Sequence, residues 1–310
     1  MRRHLIFATL VLATVVGTIS VSLITGATTV PKKTRPNDSA ALRVSTFNRL
    51  SSGSHTIVLN VGGLQRTFIV EVPPRKPVAN RALVLVFHGG DDTAANTVHE
   101  TDLLQQVTAR GDLIVFLQGY ENTWNEGSGM TAASLANVND VAFTAAVIAR
   151  LRQLFSYDPK RVAAVGFSNG AIMVEDLGCQ LAASISLIVP VEGQMSTVQS
   201  ASCAPARAES VYEIHGTADS VIPYNGGYFL TTIGEDTVLS APNSVARWAS
   251  LDGCSAGPAT STPSSAISLS TYSKCRNGAF VTLRTITGGN HAWTPNIGEL
   301  VVQELALLPK

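Results

Sequence analysis

Charged side chains are scarce in this sequence: Asp, Glu, Lys and Arg make up 14% of its 310 residues, against 45% hydrophobic, and mean hydropathy is +0.21. So little charge excludes a disordered or highly solvated chain and predicts a large buried sheet. A basic surplus is lacking too, since 22 Lys and Arg balance 22 Asp and Glu. Five of those basic residues and one acidic residue fall within positions 1–38, which leaves 17 against 21 beyond. A mildly acidic body is a poor fit for nucleic acid, which needs a basic footprint. No Cys-x-x-Cys pair occurs and no ladder of His accompanies the cysteines, so neither a metal nor a cofactor is expected. No internal repeat is present, and the length suits one α/β core.

The N-terminus does carry a long apolar run. Arg2, Arg3 and His4 precede residues 5–24, interrupted only by Thr, Ser and Gly17, the order of a charged n-region before an h-region. The run is also about as long as the ~20 residues a spanning helix needs, so a cleaved signal peptide and an uncleaved signal anchor both remain open for residues 1–27. Membrane contact is expected only in the second case, and no Cys lies near enough for a lipoprotein anchor. Residues 28–41, polar and containing Pro36, read as a linker, and residues 42–310 as the catalytic domain. Export predicts a secreted or membrane-anchored protein with oxidised thiols. The four cysteines allow three connectivities, of which Cys179 to Cys203 and Cys254 to Cys275 closes the shortest loops.

Residues 56–61 and 66–72 alternate apolar with polar side chains around Gly62-Gly63, predicting a β-hairpin. Residues 83–87 (LVLVF) and 113–117 (LIVFL) are continuously apolar, as strands covered on both faces are. Residues 139–155 carry a helical stripe with Asn139 placed to cap it. Further buried strands are expected at 161–165, 185–191, 211–214 and 280–286, and a long Ser/Thr/Ala/Pro loop at 254–270. Alternating strands and helices predict an open, mostly parallel sheet with helices on both faces and ligands at the strands' carboxyl ends.

The most specific pattern is Gly166-Phe167-Ser168-Asn169-Gly170, a G-x-S-x-G between a strand and a helix-compatible stretch. A nucleophile on so tight a turn needs small residues two positions before and after it. In such folds the acid and then the base follow the Ser along the chain. Only His215 and His291 lie beyond Ser168, and Asp219 and His291 each stand just past a strand end. This points to Ser168 as nucleophile, Asp219 as acid and His291 as base, with Glu192 the rival acid. Attack on a carbonyl also requires two donors for the developing oxyanion, here the amides of Gly90 and Asn169, while His88 reads as structural. Trp124, Tyr224 and Trp293 fall in loops expected at the catalytic end, either to hold substrate or to pack the loops.

The chain resembles the secreted polyhydroxybutyrate-depolymerase-like esterases, a branch of the α/β-hydrolases that also includes feruloyl and acetylxylan esterases. The resemblance runs from about Ser54 to Leu300, in FHGG at Phe87, NTWNEG at Asn122, NDVAFTAAVIARL at Asn139, YDPKRVAAVGFSNGAIM at Tyr157, HGTADSVIPYNGG at His215 and GGNHAW at Gly288. It implies the α/β-hydrolase fold and the same five residues as triad and oxyanion donors. It also places Trp248, Cys254 and Cys275 where that family has a Trp and a disulfide-forming pair. Asn290 and Thr294 depart from the family's usual Gly and Pro, which bears on the loop presenting His291. The function implied is a secreted serine esterase acting through an acyl-enzyme, on soluble or oligomeric acyl, feruloyl or acetyl esters. A polyhydroxyalkanoate depolymerase and an envelope acyltransferase with the same triad are the rival readings.

Overall fold

The computed structural model describes residues 50–74, 80–231 and 233–309. The expected targeting segment, the linker and the first residues of the expected catalytic domain lie outside them. Strands β1 (Gly53–Val61) and β2 (Leu64–Val72) form the hairpin, its turn made by Gly62 and Gly63 at positive φ. Strand β3 (Leu83–Phe87) leads through α1 (Ala94–Glu100) and α2 (Leu103–Ala109) to β4 (Leu113–Leu117). Helices α3 (Ala132–Leu135) and α4 (Asp140–Leu154) lead to β5 (Val162–Phe167), and Asn139 caps α4 by accepting the Ala142 N–H at 2.7 Å. Next come α5 (Asn169–Leu181), β6 (Leu187–Val191), α6 (Thr197–Ser202) and β7 (Ser210–Gly216). A separate hairpin, β8 (Gly227–Leu230) with β9 (Glu235–Val238), precedes α7 (Ala241–Leu251). Strands β10 (Ala256–Ser264), β11 (Ile267–Ser273) and β12 (Val281–Ile286) and helix α8 (Ile297–Leu307) end the described chain.

Among the described residues, ten strands make one sheet in the order β1-β2-β4-β3-β5-β6-β7-β12-β11-β10. Every pairing from β4 to β12 is parallel, and antiparallel strands flank that block on both sides. The continuous apolar runs of β3 and β4 follow from burial on both faces. Leu83, Leu85 and Phe87 point to one layer with Phe143, Leu151, Met173, Leu177 and Trp248, and Val84 and Val86 to the other with Leu103, Val107, Val301 and Leu305. Each such fully buried side chain contributes about 1.5–3 kcal/mol. No helix among the described residues is long and apolar enough to cross a membrane.

The segment expected as a long loop at 254–270 is instead built largely of β10 and β11, which extend the sheet antiparallel to β12. Its alternation is one of Ser and Thr with small residues, on an edge strand that buries almost nothing, so the usual hydrophobic period is absent. The cysteines pair Cys179 with Cys203 and Cys254 with Cys275.

The site is positioned by the point where the chain's winding reverses. From β3 it moves outward to β4, then returns to place β5 on the other side of β3. The loops leaving β3 and β5 therefore diverge at their carboxyl ends, the crevice in which open α/β sheets hold ligands.

Candidate active site

Between β5 and α5 the backbone turns at a single residue, Ser168, with φ 54° and ψ −121°. This conformation is strained for a residue with a Cβ. Its neighbours explain the two glycines: a Cβ on Gly166 would stand 2.1 Å from the Gly170 carbonyl oxygen, and one on Gly170 within 2.5 Å of the Phe87 and His88 carbonyl oxygens. The turn is held from below by the Ser168 N–H, which donates to Val191 O at 3.0 Å.

His291, on the loop after β12, brings Nε2 to 2.9 Å from Ser168 Oγ and Nδ1 to 2.7 Å from Asp219 Oδ2. Asp219 is anchored on the loop after β7, where its Oδ1 accepts the N–H groups of Val221 and Ile222 at 2.8 and 2.9 Å. Burial opposes its charge, but hydrogen bonds from His215, His291 and the Val221 amide outweigh burial and hold its carboxyl well below the usual range. An ionised Asp219 only accepts, so Nδ1 of His291 carries the proton and Nε2 offers its lone pair to the Ser168 hydroxyl. Phe167 packs its ring 4.8 Å from the imidazole.

Gly90 and Asn169 face each other across the reversal point, with a Cβ built on Gly90 only 3.7 Å from that of Asn169. Neither backbone N–H meets an acceptor among the described residues. The Gly90 loop is fixed through His88, whose Nε2 accepts the Gly119 N–H at 2.9 Å and whose Nδ1 therefore donates to Gly89 O at 2.7 Å. Burial lowers the His88 pKa, in keeping with this neutral tautomer. The Asn169 side chain ties the start of α5 to the neighbouring loop, its Oδ1 accepting the Trp124 N–H at 2.8 Å.

A cavity of about 140 Å³ opens beside Ser168, bounded by Gly90 and Asn169 on one side and by Ile172, Ile222, Phe229 and Leu230 on another. Glu126 closes part of the wall; burial pushes its carboxyl pKa up, while hydroxyls of Ser128 and Ser134 donate to it and act in the opposite direction.

The three loop aromatics lie elsewhere. Trp124 is wholly buried against Phe87 and His88, so it packs beneath the site and does not meet substrate. Tyr224 places its hydroxyl 3.0 Å from Thr285 Oγ1, and Trp293 stacks on Phe167 with ring centroids 5.1 Å apart. Neither lines the cavity. Sequence reasoning missed the β8–β9 hairpin, which supplies Phe229 and Leu230; the pair Gly226-Gly227 ahead of an alternating stretch was its available signal. Glu192, the rival acid, meets His215 and the Gly216 amide. With His215 and Asp219 it also brings potential ligand atoms within 4.8 Å of one another, but the Asp219 oxygens already accept from Val221, Ile222 and His291.

Residues 71–238, more than half of the chain, match the family described as Phospholipase/Carboxylesterase. The chain belongs to this family. Among similar proteins, feruloyl esterase B of Piromyces equi is 34% identical over 189 residues, 59% of this chain and 34% of that protein. The chain thus spans about a third of that relative. A protein named putative esterase NocK, from Nocardia uniformis subsp. tsuyamanensis, is 26% identical over 284 residues, 85% of this chain and 81% of its own. The structure of an acetyl xylan esterase from Aspergillus awamori superposes with a TM-score of 0.61 at 12% identity, covering 82% of this chain and 99% of that one. That likeness shows the α/β-hydrolase fold. The class expected from the residues, a carboxylic ester hydrolase, agrees with the phospholipase/carboxylesterase family and with the names of the two sequence relatives.

Proposed function

We propose that the protein is a serine esterase that hydrolyses carboxylic esters through an acyl-enzyme. The observation that carries this reading is the hydrogen-bonded chain from Ser168 Oγ through His291 to Asp219, at 2.9 and 2.7 Å. His291 Nε2 takes the hydroxyl proton as Ser168 Oγ bonds to the ester carbonyl carbon. The carbonyl electrons move to oxygen, where the free N–H groups of Gly90 and Asn169 receive the charge. Collapse breaks the bond to the alcohol, which leaves with the proton from His291. Water then attacks the acyl-Ser168 by the same route and releases the acid. Asp219 stays ionised throughout and steadies the imidazolium.

The cavity narrows the acyl group. At about 140 Å³ it is close to the ~150 Å³ that holds a single benzene, and its apolar wall of Ile172, Ile222 and Phe229 suits one ring or a short chain. Soluble or oligomeric acetyl and feruloyl esters are the proposed substrates. One observation favours a polyester instead: Val221, Tyr228 and Leu230 leave 45, 74 and 73% of their surface exposed near the mouth, an apolar rim able to rest on a solid polymer. Two disulfides suit an oxidising compartment, and with the N-terminal apolar run they support export.

The test is turnover of a soluble acetyl ester, a feruloylated oligosaccharide and a polyhydroxybutyrate film, together with labelling by a serine-directed phosphonate. Ser168→Ala should abolish labelling and turnover. Retention of more than about a tenth of activity, a barrier change below ~1.4 kcal/mol, removes Ser168 as nucleophile. Film erosion without activity on either soluble ester replaces the proposed substrate with polyester.

A further inference from the structure

Behind the proposed triad lies a second acid that the mechanism above does not use. Glu192 follows β6 with φ 49° and is 1% exposed, a strained conformation for a buried side chain. Both its oxygens accept the single Gly216 N–H, at 3.1 and 2.9 Å, and Oε2 lies 3.5 Å from His215 Nε2. The same Nε2 lies 3.4 Å from Asp219 Oδ2 and 3.0 Å from Ile222 O. Two buried carboxyls thus flank one buried imidazole.

The imidazole cannot neutralise both. His215 is fully buried and its Nδ1 has no hydrogen-bond partner among the described residues, while Nε2 faces three oxygens. Nε2 is thus the one ring nitrogen that both carboxyls share. Two carboxyls whose atoms lie within 4.8 Å of each other and that share one imidazole nitrogen oppose each other's ionisation. Besides the shared His215 Nε2, Asp219 accepts the N–H groups of Val221, Ile222 and His291, whereas Glu192 accepts only that of Gly216. The proton belongs on the group with fewer donors.

We propose that Glu192 is a positioning residue that acts as a neutral acid, keeping its proton beside Asp219 so that Asp219 is the sole anion behind His291. Among the described residues the ionisable groups facing it are Asp219 and His215, while Glu213, further along β7, is itself pushed well up by burial. In agreement, burial, with the contact to Asp219, pushes the Glu192 carboxyl up to about 8 against the lowering effect of the Gly216 N–H. Ionised Glu192 would set a second anion against Asp219, which must then move or take a proton. Either change deprives His291 of its orienting partner.

This inference rests on the serine-esterase reading, and its test separates the two. The pH profile of kcat/KM on a soluble acetyl ester is measured for the wild type, Glu192→Gln and Glu192→Ala. Gln reproduces the neutral acid, accepting from Gly216 through its oxygen and donating toward Asp219 through its amide. It should stay within about threefold of the wild type near pH ~7 and lack the fall of about fivefold or more that the wild type shows between pH ~7.5 and ~9.5. Ala should lower kcat by about tenfold with KM little changed; if it does not fold, the Gln comparison decides alone. The same alkaline fall in both, or a Gln variant about tenfold slower near pH ~7, overturns the inference while leaving the esterase reading intact. A wild type whose Ser168 does not react with the serine-directed phosphonate overturns both.

Discussion

Trp124 donates its indole N–H to the carbonyl oxygen of His88 at 2.8 Å, and neither side chain is appreciably exposed. This bond ties the NTWNEG loop to the strand end that presents Gly90. Trp124→Phe keeps most of the volume but leaves that carbonyl short of a donor, which should cost about 1–3 kcal/mol in denaturant unfolding. Because the Gly90 N–H is the proposed donor to the developing oxyanion, kcat should fall more than KM rises. Unchanged stability would show that water replaces the indole.

Two glycines at the site should respond oppositely to Ala. Gly170→Ala drives a Cβ into the Phe87 and His88 carbonyls, so it should destabilise by about 1–3 kcal/mol or more and abolish activity. At Gly90 the nearest atom is 3.7 Å away, an ordinary contact. Gly90→Ala should fold as the wild type does in a thermal melt and keep its backbone donor, with any loss confined to turnover.

Asp219→Asn keeps the shape of the acid but removes its charge and favours the wrong imidazole tautomer. Turnover should drop by about 10³–10⁴-fold. Steady-state kinetics near neutral pH, with circular dichroism to confirm the fold, decide this. A loss below about tenfold, or ~1.4 kcal/mol, would remove Asp219 from the acid role.

Stability should fall as the solution turns from mildly acidic to mildly alkaline. Burial pushes the carboxyls of Glu175 and Asp252 up to about 8 and about 7. Each holds its proton more tightly folded than unfolded, so its contribution is whole below the unfolded value of ~4 and lost as pH rises through the folded one. Thermal unfolding should therefore give a higher Tm near pH ~5 than near pH ~8, and Glu175→Gln should flatten the slope. Asp219, held low, acts with the opposite sign and only at strongly acidic pH. A Tm that rises over this interval contradicts the assignment.

Much of the sheet was legible because burial on both faces writes itself into the sequence as unbroken apolar runs, as at 83–87 and 113–117. The positions of Ser168, Asp219 and His291 followed from a turn with two obligatory glycines and from residues standing at strand ends. Strands β10 and β11 were illegible because they bury too little to leave a hydrophobic period. Trp124 was ambiguous for a different reason: an aromatic in a loop carries no mark of which side the loop turns. The meeting of Glu192 with His215 depends on β6 lying beside β7, which local sequence does not encode.

The outermost strand also bears on how copies of the chain meet. Among the described residues, strand β10 leaves one edge of the sheet without a neighbour, the kind of border along which separate molecules can zip together. Pro258 and Pro263 lie within it, and its pairing with β11 shifts register between Ala256 and Ala259 and again between Ser261 and Ser264. Proline offers no N–H, and each irregularity bends the strand away from a flat template. The border is thus blunted by its own composition, which disfavours pairing of one molecule's sheet edge with the next.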